Sequence, residues 1–526
     1  MKVSPSEVEK VINMLSSKKS PGIDGIRVQD IKYLRKQISP ILANFINMCL
    51  TKGLYPDQLK SAIIRPIYKS GSHLEYVNYR PIAILSVIDK IVEKIVVGQI
   101  TKFLETHNIL TDSQHGFRKG RSTVSALSSF AEYVNEALDS GEQLIAIFID
   151  YKKAFDTLDH NILLQAMHEC GIRGPTNNWF RSYLSNRKIR TLINGVTGED
   201  AAVSSGVPTG SVFGPVGYVM HVNSVANVVS NCQVFMYADD MCVVSRSKDI
   251  SIVQKNVQSD FDNITKWAHD NGIILNFNKT KCMHIHSPYN KTAKNINRDN
   301  LTIIGHTYEC LHKHKHNCNC IMLQYETNFK YLGLNIEKHF NWAMHVSDVC
   351  NRLRSVLGKF YQLRRVLHLD TLKVVYYALA DSLISYGLIV YGRTFKSYIK
   401  DIKNLQIRLV KYLVTKKVKA ACNKDYDKLF PICKILPIEK KVEYLIGLEY
   451  YYSNEYKEIV YNKYNTRRVR EQKLKNVKVR NYYGKRTNKY LVPHVINKTD
   501  ILRQTPKIHK IGLLKNKLKK ILLDIM

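Results

Sequence analysis

Val234-Phe235-Met236-Tyr237-Ala238-Asp239-Asp240-Met241-Cys242-Val243-Val244 places two adjacent carboxylates between two short apolar runs. Runs of that length and composition predict two buried strands joined by a tight acidic turn. Asp suits a solvated turn, so the pair alone fits an exposed hairpin tip as well as it fits half of a divalent-cation site, since hard cations take oxygen ligands. The second reading requires another acid from elsewhere in the chain.

That acid stands upstream. Leu144-Ile145-Ala146-Ile147-Phe148-Ile149 is a continuous apolar run, predicted as a strand buried on both faces, and it ends on Asp150. A carboxylate at the end of a buried strand is costly unless a cleft or a cation receives it. Asp156, in the following Tyr151-Lys152-Lys153-Ala154-Phe155-Asp156-Thr157, reads as the N-cap of a helix rather than a ligand.

The 526 residues are 45% hydrophobic and carry a formal net charge of +35, which describes a globular chain with a strongly cationic surface. Nucleic acid is the partner such a surface most often serves. The excess is concentrated late, with about 40 Lys+Arg against about 13 Asp+Glu between residues 351 and 526. The 11 cysteines are scattered and no secretory segment opens the chain, so a reducing intracellular setting is expected. The most apolar long run, residues 374–392, contains Asp381, two serines and glycines, and reads as buried helix rather than a membrane span.

The flanking motifs are basic and turn-rich. Ser4-Pro5-Ser6-Glu7 predicts a helix start with Ser4 as N-cap and Glu7 closing a capping box. Residues 18–25 form a Pro/Gly loop carrying two lysines. Residues 62–69 and 78–82 read as strands around a Ser70-Gly71-Ser72 turn, with Lys69 and Arg80 available to a phosphate. Gln114 to Thr123 is a second basic, glycine-spaced loop, leading into a helix whose free N–H groups favour an anion. Gly206 to Ser211 is a turn-rich loop before a helix beginning near Gly214, and residues 329–336 read as a short strand pair. Cys310, His312, His314, His316, Cys318 and Cys320 crowd one insertion, from which four ligands would make a zinc site. Their spacing matches no common zinc finger, and alternating residues of a strand point to opposite faces.

In chain order these motifs are KKSPGIDGI (18–26), NYRPIAILS (78–86), QHGFRKGRST (114–123), DYKKAFDT (150–157), GVPTGSVFGP (206–215), YADD (237–240), LNFNKTK (275–281) and KYLGL (330–334). Together they resemble the reverse transcriptases of non-LTR (LINE-type, jockey-like) retrotransposons. The resemblance implies an α+β, right-hand polymerase: fingers, a palm of small antiparallel sheet backed by helices, and a helical thumb. The expected boundaries are 1–135 for fingers and the start of the palm, 136–345 for the palm with its insertions, 346–400 for the thumb and 401–526 for a basic helical region. That region includes Arg467, Arg468, Arg470, Lys473, Lys475, Lys478 and Arg480, expected to meet template RNA or target DNA.

The implied activity is RNA-directed DNA synthesis from dNTPs onto the 3′-hydroxyl of a DNA primer, with two Mg²⁺ ions, or Mn²⁺ in their place, held by Asp150, Asp239 and Asp240. The resemblance also casts Phe155 as the residue that excludes a 2′-hydroxyl. Lys69 and Arg80 would grip the triphosphate, and Lys279 would protonate the departing pyrophosphate. Gly206, Pro208, Thr209, Gly210 and Ser211 would line the nucleotide pocket. Arg118, Arg121 and Tyr237 would contact template and primer, with Tyr331, Leu332 and Gly333 as the primer grip.

Thr209 stands where the family usually has glutamine, a shorter hydroxyl in place of a longer amide, and Asn223-Ser224 where relatives usually have Asn-Asp. The nicking endonuclease common upstream is expected to be absent, so a separate nuclease would serve integration. A decayed or domesticated copy that binds nucleic acid with little polymerase activity is the alternative. The nucleus, with a cytoplasmic ribonucleoprotein stage, is the expected location.

Overall fold

The structure is a computed structural model and describes residues 1–526 except 19, 295, 297–300, 314–319, 453–473, 475–476, 500–510 and 525–526. Its strands are β1 (Ser61–Tyr68), β2 (Tyr79–Ile84), β3 (Gln143–Ile149), β4 (Arg187–Ile193), β5 (Val196–Val203), β6 (Gln233–Tyr237), β7 (Asp240–Ser247), β8 (Lys281–Ile285), β9 (Ile304–Gly305), β10 (Ile321–Met322), β11 (Gln324–Tyr325), β12 (Asn328–Tyr331) and β13 (Leu334–Glu337). The chain is mixed α and β, with helices the larger part.

A five-stranded sheet in the order β11-β8-β3-β7-β6 organises the middle of the chain. β3 lies at its centre, antiparallel to both β7 and β8, and every one of its residues is buried. The period-2 alternation of a strand divides them between two cores. Ile145, Ile147 and Ile149 face a core that includes Ile91 and Ile95 of the Val87–Thr106 helix, Leu163 of the His160–Glu169 helix and Phe261 of the Ile250–Asp270 helix. Leu144, Ala146 and Phe148 face a second core with Phe130 of the Thr123–Asp139 helix, Leu353 of the Ala343–Leu363 helix and Leu409 of the Lys396–Val410 helix. A strand covered on both faces has no polar side to show, which is why its sequence is an unbroken apolar run.

A second sheet, β2-β1-β4-β5, joins the β1–β2 hairpin to β4 in parallel, and β4 to β5 antiparallel. Its side chains are mostly half-buried or exposed, with only a small core at Ala62, Ala83 and Leu85.

Most predicted elements form where expected, and two local details differ. Ser4 accepts from the Glu7 N–H with Pro5 at the first helical position, but the Glu7 carboxylate takes Gln99 Nε2 at 3.2 Å instead of closing a capping box. Asp156 is not an N-cap: the helix begins at His160, and Asp159 caps it by accepting from the N–H groups of Asn161 and Ile162.

Residues 374–392 lie in the helical region after β13, where Asp381 accepts from Lys441 Nζ at 2.5 Å. Among the described residues no helix is long and apolar enough to cross a membrane. Farther on, residues 480–489 pack back against the Thr123–Asp139 helix. Asp139 accepts from the backbone N–H groups of Arg480 and Asn481, and Glu132 from that of Asn488. Arg480 is thus placed by its main chain; Arg467, Arg468, Arg470, Lys473 and Lys475 lie outside the described residues.

Candidate active site

The register of the central sheet brings the two acidic segments together. Ile149 pairs with Met241, so Asp150 leaves β3 beside Asp240 at the start of β7. Tyr237 pairs with Asp240, which makes Ala238-Asp239 a two-residue turn, with Ala238 at φ +56°. A non-glycine residue with positive φ is strained and must be held by its surroundings.

Residues 113–116 hold it. Met236 N–H donates to Ser113 O at 2.9 Å and His115 N–H to Met236 O at 2.8 Å, so this segment runs beside β6. Gln114 Oε1 accepts from the Ala238 N–H at 3.0 Å and from the Gly116 N–H at 2.7 Å. A Cβ on Gly116 would lie 2.2 Å from Ala238 N, so the approach is open to glycine alone. Gln114 was missed in the sequence, because a buried amide clamped onto a distant turn leaves no local pattern.

Asp239 and Asp240 are exposed at the tip and Asp150 is half-buried. Partial desolvation in the cleft, then repulsion from Asp239 and from Asp150, pushes the Asp240 carboxyl up to about 6. Asn276 Nδ2 donates to Asp150 Oδ2 at 2.9 Å, and the Asn276 N–H to the Asp150 carbonyl at 2.8 Å. Asn276 therefore orients this carboxylate and was also missed. The register thus gathers three carboxylates from two neighbouring strands at one end of the central sheet. Two ions about 4 Å apart suit such a set, and its crowded, mutually repelling oxygens are the donor chemistry hard cations require.

A second group of predicted residues packs around the 206–211 loop. Gly206 N–H donates to Leu158 O at 2.8 Å and Val207 N–H to Phe155 O at 3.2 Å, while Ala83 N–H of β2 donates to Thr209 O at 2.8 Å. Gly206 (φ +75°) and Gly210 (φ +107°) occupy conformations that favour glycine, and a Cβ on Gly206 would lie 2.7 Å from Asp156 O. The loop thus joins the Phe155 turn to the β1–β2 hairpin, where Lys69 and Arg80 are both exposed. Thr209 contributes its carbonyl to this joint, so the threonine side chain leaves the loop's path intact. Phe155 is half-buried, its ring 4.7 Å from Tyr218 and 6.2 Å from Phe117. Pro208 and Ser211 close a turn through the Ser211 N–H at 2.9 Å, and Ser211 Oγ accepts from the Gly214 N–H.

Below that loop lies a buried polar network. Glu93 accepts from Tyr183 Oη and, at 2.7 Å, from the Val212 N–H, and Asp89 accepts from Tyr55 Oη beside Arg187. Burial, then the Asp89 charge, pushes Glu93 up to about 8. Because the folded value lies above the unfolded one, this group favours folding below about pH 4.5 and loses that contribution as pH rises through about 8. The expected loss between pH 5 and 8 is about 3 kcal/mol, and Glu93→Gln should flatten it. Urea melts showing the same pH slope in both proteins would refute the assignment.

Other predicted residues are placed differently from expectation. Arg118 is buried, its guanidinium bonded to both Glu105 oxygens at 2.9 and 2.8 Å and to the carbonyl of Thr111 at 2.7 Å, so it holds the loop together instead of facing a phosphate. Arg121 is bonded to Asp112 at 2.5 Å. Tyr331 is buried, its ring 5.2 Å from Phe148, which leaves the Leu332-Gly333 turn as the outward part of that motif. Tyr237 is half-buried beside the acidic turn, and Lys279 is exposed three residues beyond Asn276. Of the Cys/His insertion, Cys310, Cys320 and an exposed His312 are described; His314, His316 and Cys318 lie outside the described residues. Cys310 sits on a short helix, Tyr308–Lys313, not on a strand.

Residues 67–336 match the family model described as reverse transcriptase (RNA-dependent DNA polymerase). The chain is 27% identical over 417 residues to the probable RNA-directed DNA polymerase from transposon X-element of Drosophila melanogaster, covering 78% of this chain and 44% of that protein. It is 25% identical over 422 residues to the RNA-directed DNA polymerase from mobile element jockey of the same species, covering 78% and 43%. To the Pol polyprotein from the type-1 retrotransposable element R1 of Bradysia coprophila it is 23% identical over 418 residues, covering 77% and 39%. The chain thus spans less than half the length of these relatives. With a matched domain spanning both acidic segments, the chain belongs to the reverse transcriptase family, among those of non-LTR retrotransposons.

Proposed function

We propose that this chain is an RNA-directed DNA polymerase that extends a DNA primer from dNTPs on an RNA template. The observation that carries the reading is the placement of Asp150 beside the Ala238-Asp239 turn on neighbouring strands of the matched domain. In this reading the β11-β8-β3-β7-β6 sheet is the palm, the β2-β1-β4-β5 sheet belongs to the fingers, and the helices from Ala343 onward supply the thumb and the basic region. Asp150, Asp239 and Asp240 would hold two Mg²⁺ ions, which supply activation of the primer hydroxyl and charge neutralisation at the leaving pyrophosphate.

The chain's own residues do the rest. Asn276 fixes the Asp150 carboxylate, and Gln114 fixes the acidic turn. The 206–211 loop couples the Phe155 ring to the hairpin bearing Lys69 and Arg80, so the group that reads the sugar and the groups that would meet the triphosphate are joined by backbone hydrogen bonds. Copying into genomic DNA would place the protein in the nucleus.

The test is primer extension on poly(rA)/oligo(dT) with Mg²⁺. Wild-type chain should make long product; product no greater than that of Asp150→Ala would leave the nucleic-acid-binding alternative. In the same assay Phe155→Ala should raise ribonucleotide use relative to deoxynucleotide by about 1–3 kcal/mol of discrimination, roughly 10- to 100-fold. An unchanged ratio would remove Phe155 from sugar selection.

A further inference from the structure

The insertion between β8 and β12 carries a second cluster of chemistry, far in sequence from the acids. β9 and β10 pair antiparallel with Ile321 opposite Gly305, so His306 and Cys320 are the next facing positions of the ribbon. Cys310 follows His306 by four residues on the Tyr308–Lys313 helix. His306 Nδ1 lies 3.2 Å from Cys320 Sγ and 3.5 Å from Cys310 Sγ, and the three donor atoms all fall within 4.8 Å of one another.

The two nitrogen–sulfur separations lie within a few tenths of an ångström of those around a shared tetrahedral ion. Zinc bonds of about 2.0–2.1 Å to nitrogen and about 2.3 Å to sulfur, at tetrahedral angles, set the ligand atoms about 3.5–3.8 Å apart. A hydrogen bond explains two sulfurs on one imidazole nitrogen less well than it explains one, since Nδ1 has a single lone pair or a single proton to share. Soft thiolates with an imidazole select zinc over Mg²⁺, so this group would not compete with the acids for the same metal.

The scaffold around the cluster is fixed on the Ile250–Asp270 helix. Gln258 bonds Ile304 through both its N–H and its carbonyl, at 2.8 and 2.9 Å, and so pins β9 directly before His306. The Tyr308 ring stacks on His269 at 3.4 Å with 6° between planes, which seats the helix bearing Cys310. Gln258 also bonds the Asp262 carboxylate at 2.8 Å, and His306 is near enough to act on that carboxylate electrostatically. An acid beside a ligating histidine is a common support of zinc sites. His312, the nearest histidine in the sequence motif, instead lies against Tyr308 at 4.1 Å.

We propose that His306, Cys310 and Cys320 bind a structural zinc ion that closes this insertion against the Ile250–Asp270 helix. The fourth position is filled by water or one further donor. β10 is followed directly by β11, which pairs with β8, so the ion braces the segment that feeds the edge of the central sheet. Binding displaces the thiol protons of both cysteines, so zinc uptake weakens with acid.

The test uses the full chain, produced in zinc-supplemented medium and passed over a weak chelator, with metal read by mass spectrometry. One zinc per chain is expected in the wild type and in His168→Ala, an exposed histidine elsewhere. Far less is expected in His306→Ala and in Cys310→Ser/Cys320→Ser. Because those variants can misfold, cobalt(II) is also loaded into wild-type chain, where intense tetrahedral bands with thiolate charge transfer should appear. Zinc well below one per wild-type chain, zinc retained by the Cys310→Ser/Cys320→Ser variant, or a cobalt spectrum without thiolate bands would each overturn the site. None of these readings depends on polymerase activity, so the site and the proposed function stand or fall separately.

Discussion

Asp150→Asn and Asp239→Asn should each lower primer extension about a thousandfold while leaving the chain folded and no less stable. The loss would follow from replacing an anionic ligand by a neutral amide, which weakens the hold on the cations that would neutralise the negative charge of the transition state, where single electrostatic groups are worth about 10²–10³ in rate or more. The stability follows from the same crowding. Partial desolvation, then Asp239 and Asp150, push the Asp240 carboxyl upward, to about 6, so removing either charge lets Asp240 fall part of the way back toward the ordinary carboxylate range. A raised folded value means that stability is lost as pH rises through about 6, and neutralising a neighbour relieves that loss. The tip is open to solvent, so screening holds the gain to about 0.5 kcal/mol. Extension rates and thermal melts on the same preparations decide it: a variant that keeps a tenth of wild-type activity, or that loses activity only in step with unfolding, would remove the acid from the chemistry.

Gly116→Ala is expected to be the most damaging single-methyl change near the site. The added carbon would lie 2.2 Å from Ala238 N, against backbone that Gln114 Oε1 already holds at 3.0 Å. Neither side can yield without moving the acidic turn. Overpacking of this kind costs about 1–3 kcal/mol, and a turn displaced by about 1 Å lowers turnover about 100-fold. Gly98→Ala is the matched control, since nothing lies within 4 Å of its added carbon in the Val87–Thr106 helix, and it should stabilise by about 0.5–1 kcal/mol. Equal activity in the two variants would show that the 113–116 segment does not position the turn.

The acids were legible because they interrupt strong patterns. Asp150 ends an apolar run buried on both faces, and Asp239-Asp240 separate two others, so the apolar runs put them at strand ends, the resemblance grouped them, and the strand register sets them side by side. The motifs named by resemblance located the Phe155 turn and the 206–211 loop, which the backbone hydrogen bonds join. Residues that work through distant backbone were not legible: Gln114 acts on Ala238 across 124 positions and Asn276 on Asp150 across 126. Charge also misled, because it does not report what a cation is bonded to. Arg118, in a loop that reads as a phosphate contact, is enclosed with Glu105. The Cys/His run was only partly legible: His312 lies against Tyr308, whereas His306, outside the run, meets both Cys310 and Cys320.

The seam between Asp139 and residues 480–481 has a consequence for how the chain is made. The groups that Asp139 accepts from lie 341 residues downstream of it. At about 5–20 residues per second of synthesis, roughly 20–70 s separate the carboxylate's emergence from that of its partners. The helix that ends at Asp139 therefore spends that interval with one flank unfinished. Docking of the late segment is the long-range step that closes it, and contacts of such sequence separation form slowly. Pulsed proteolysis of nascent chains should find this helix protected only after the segment around Asn481 has left the ribosome.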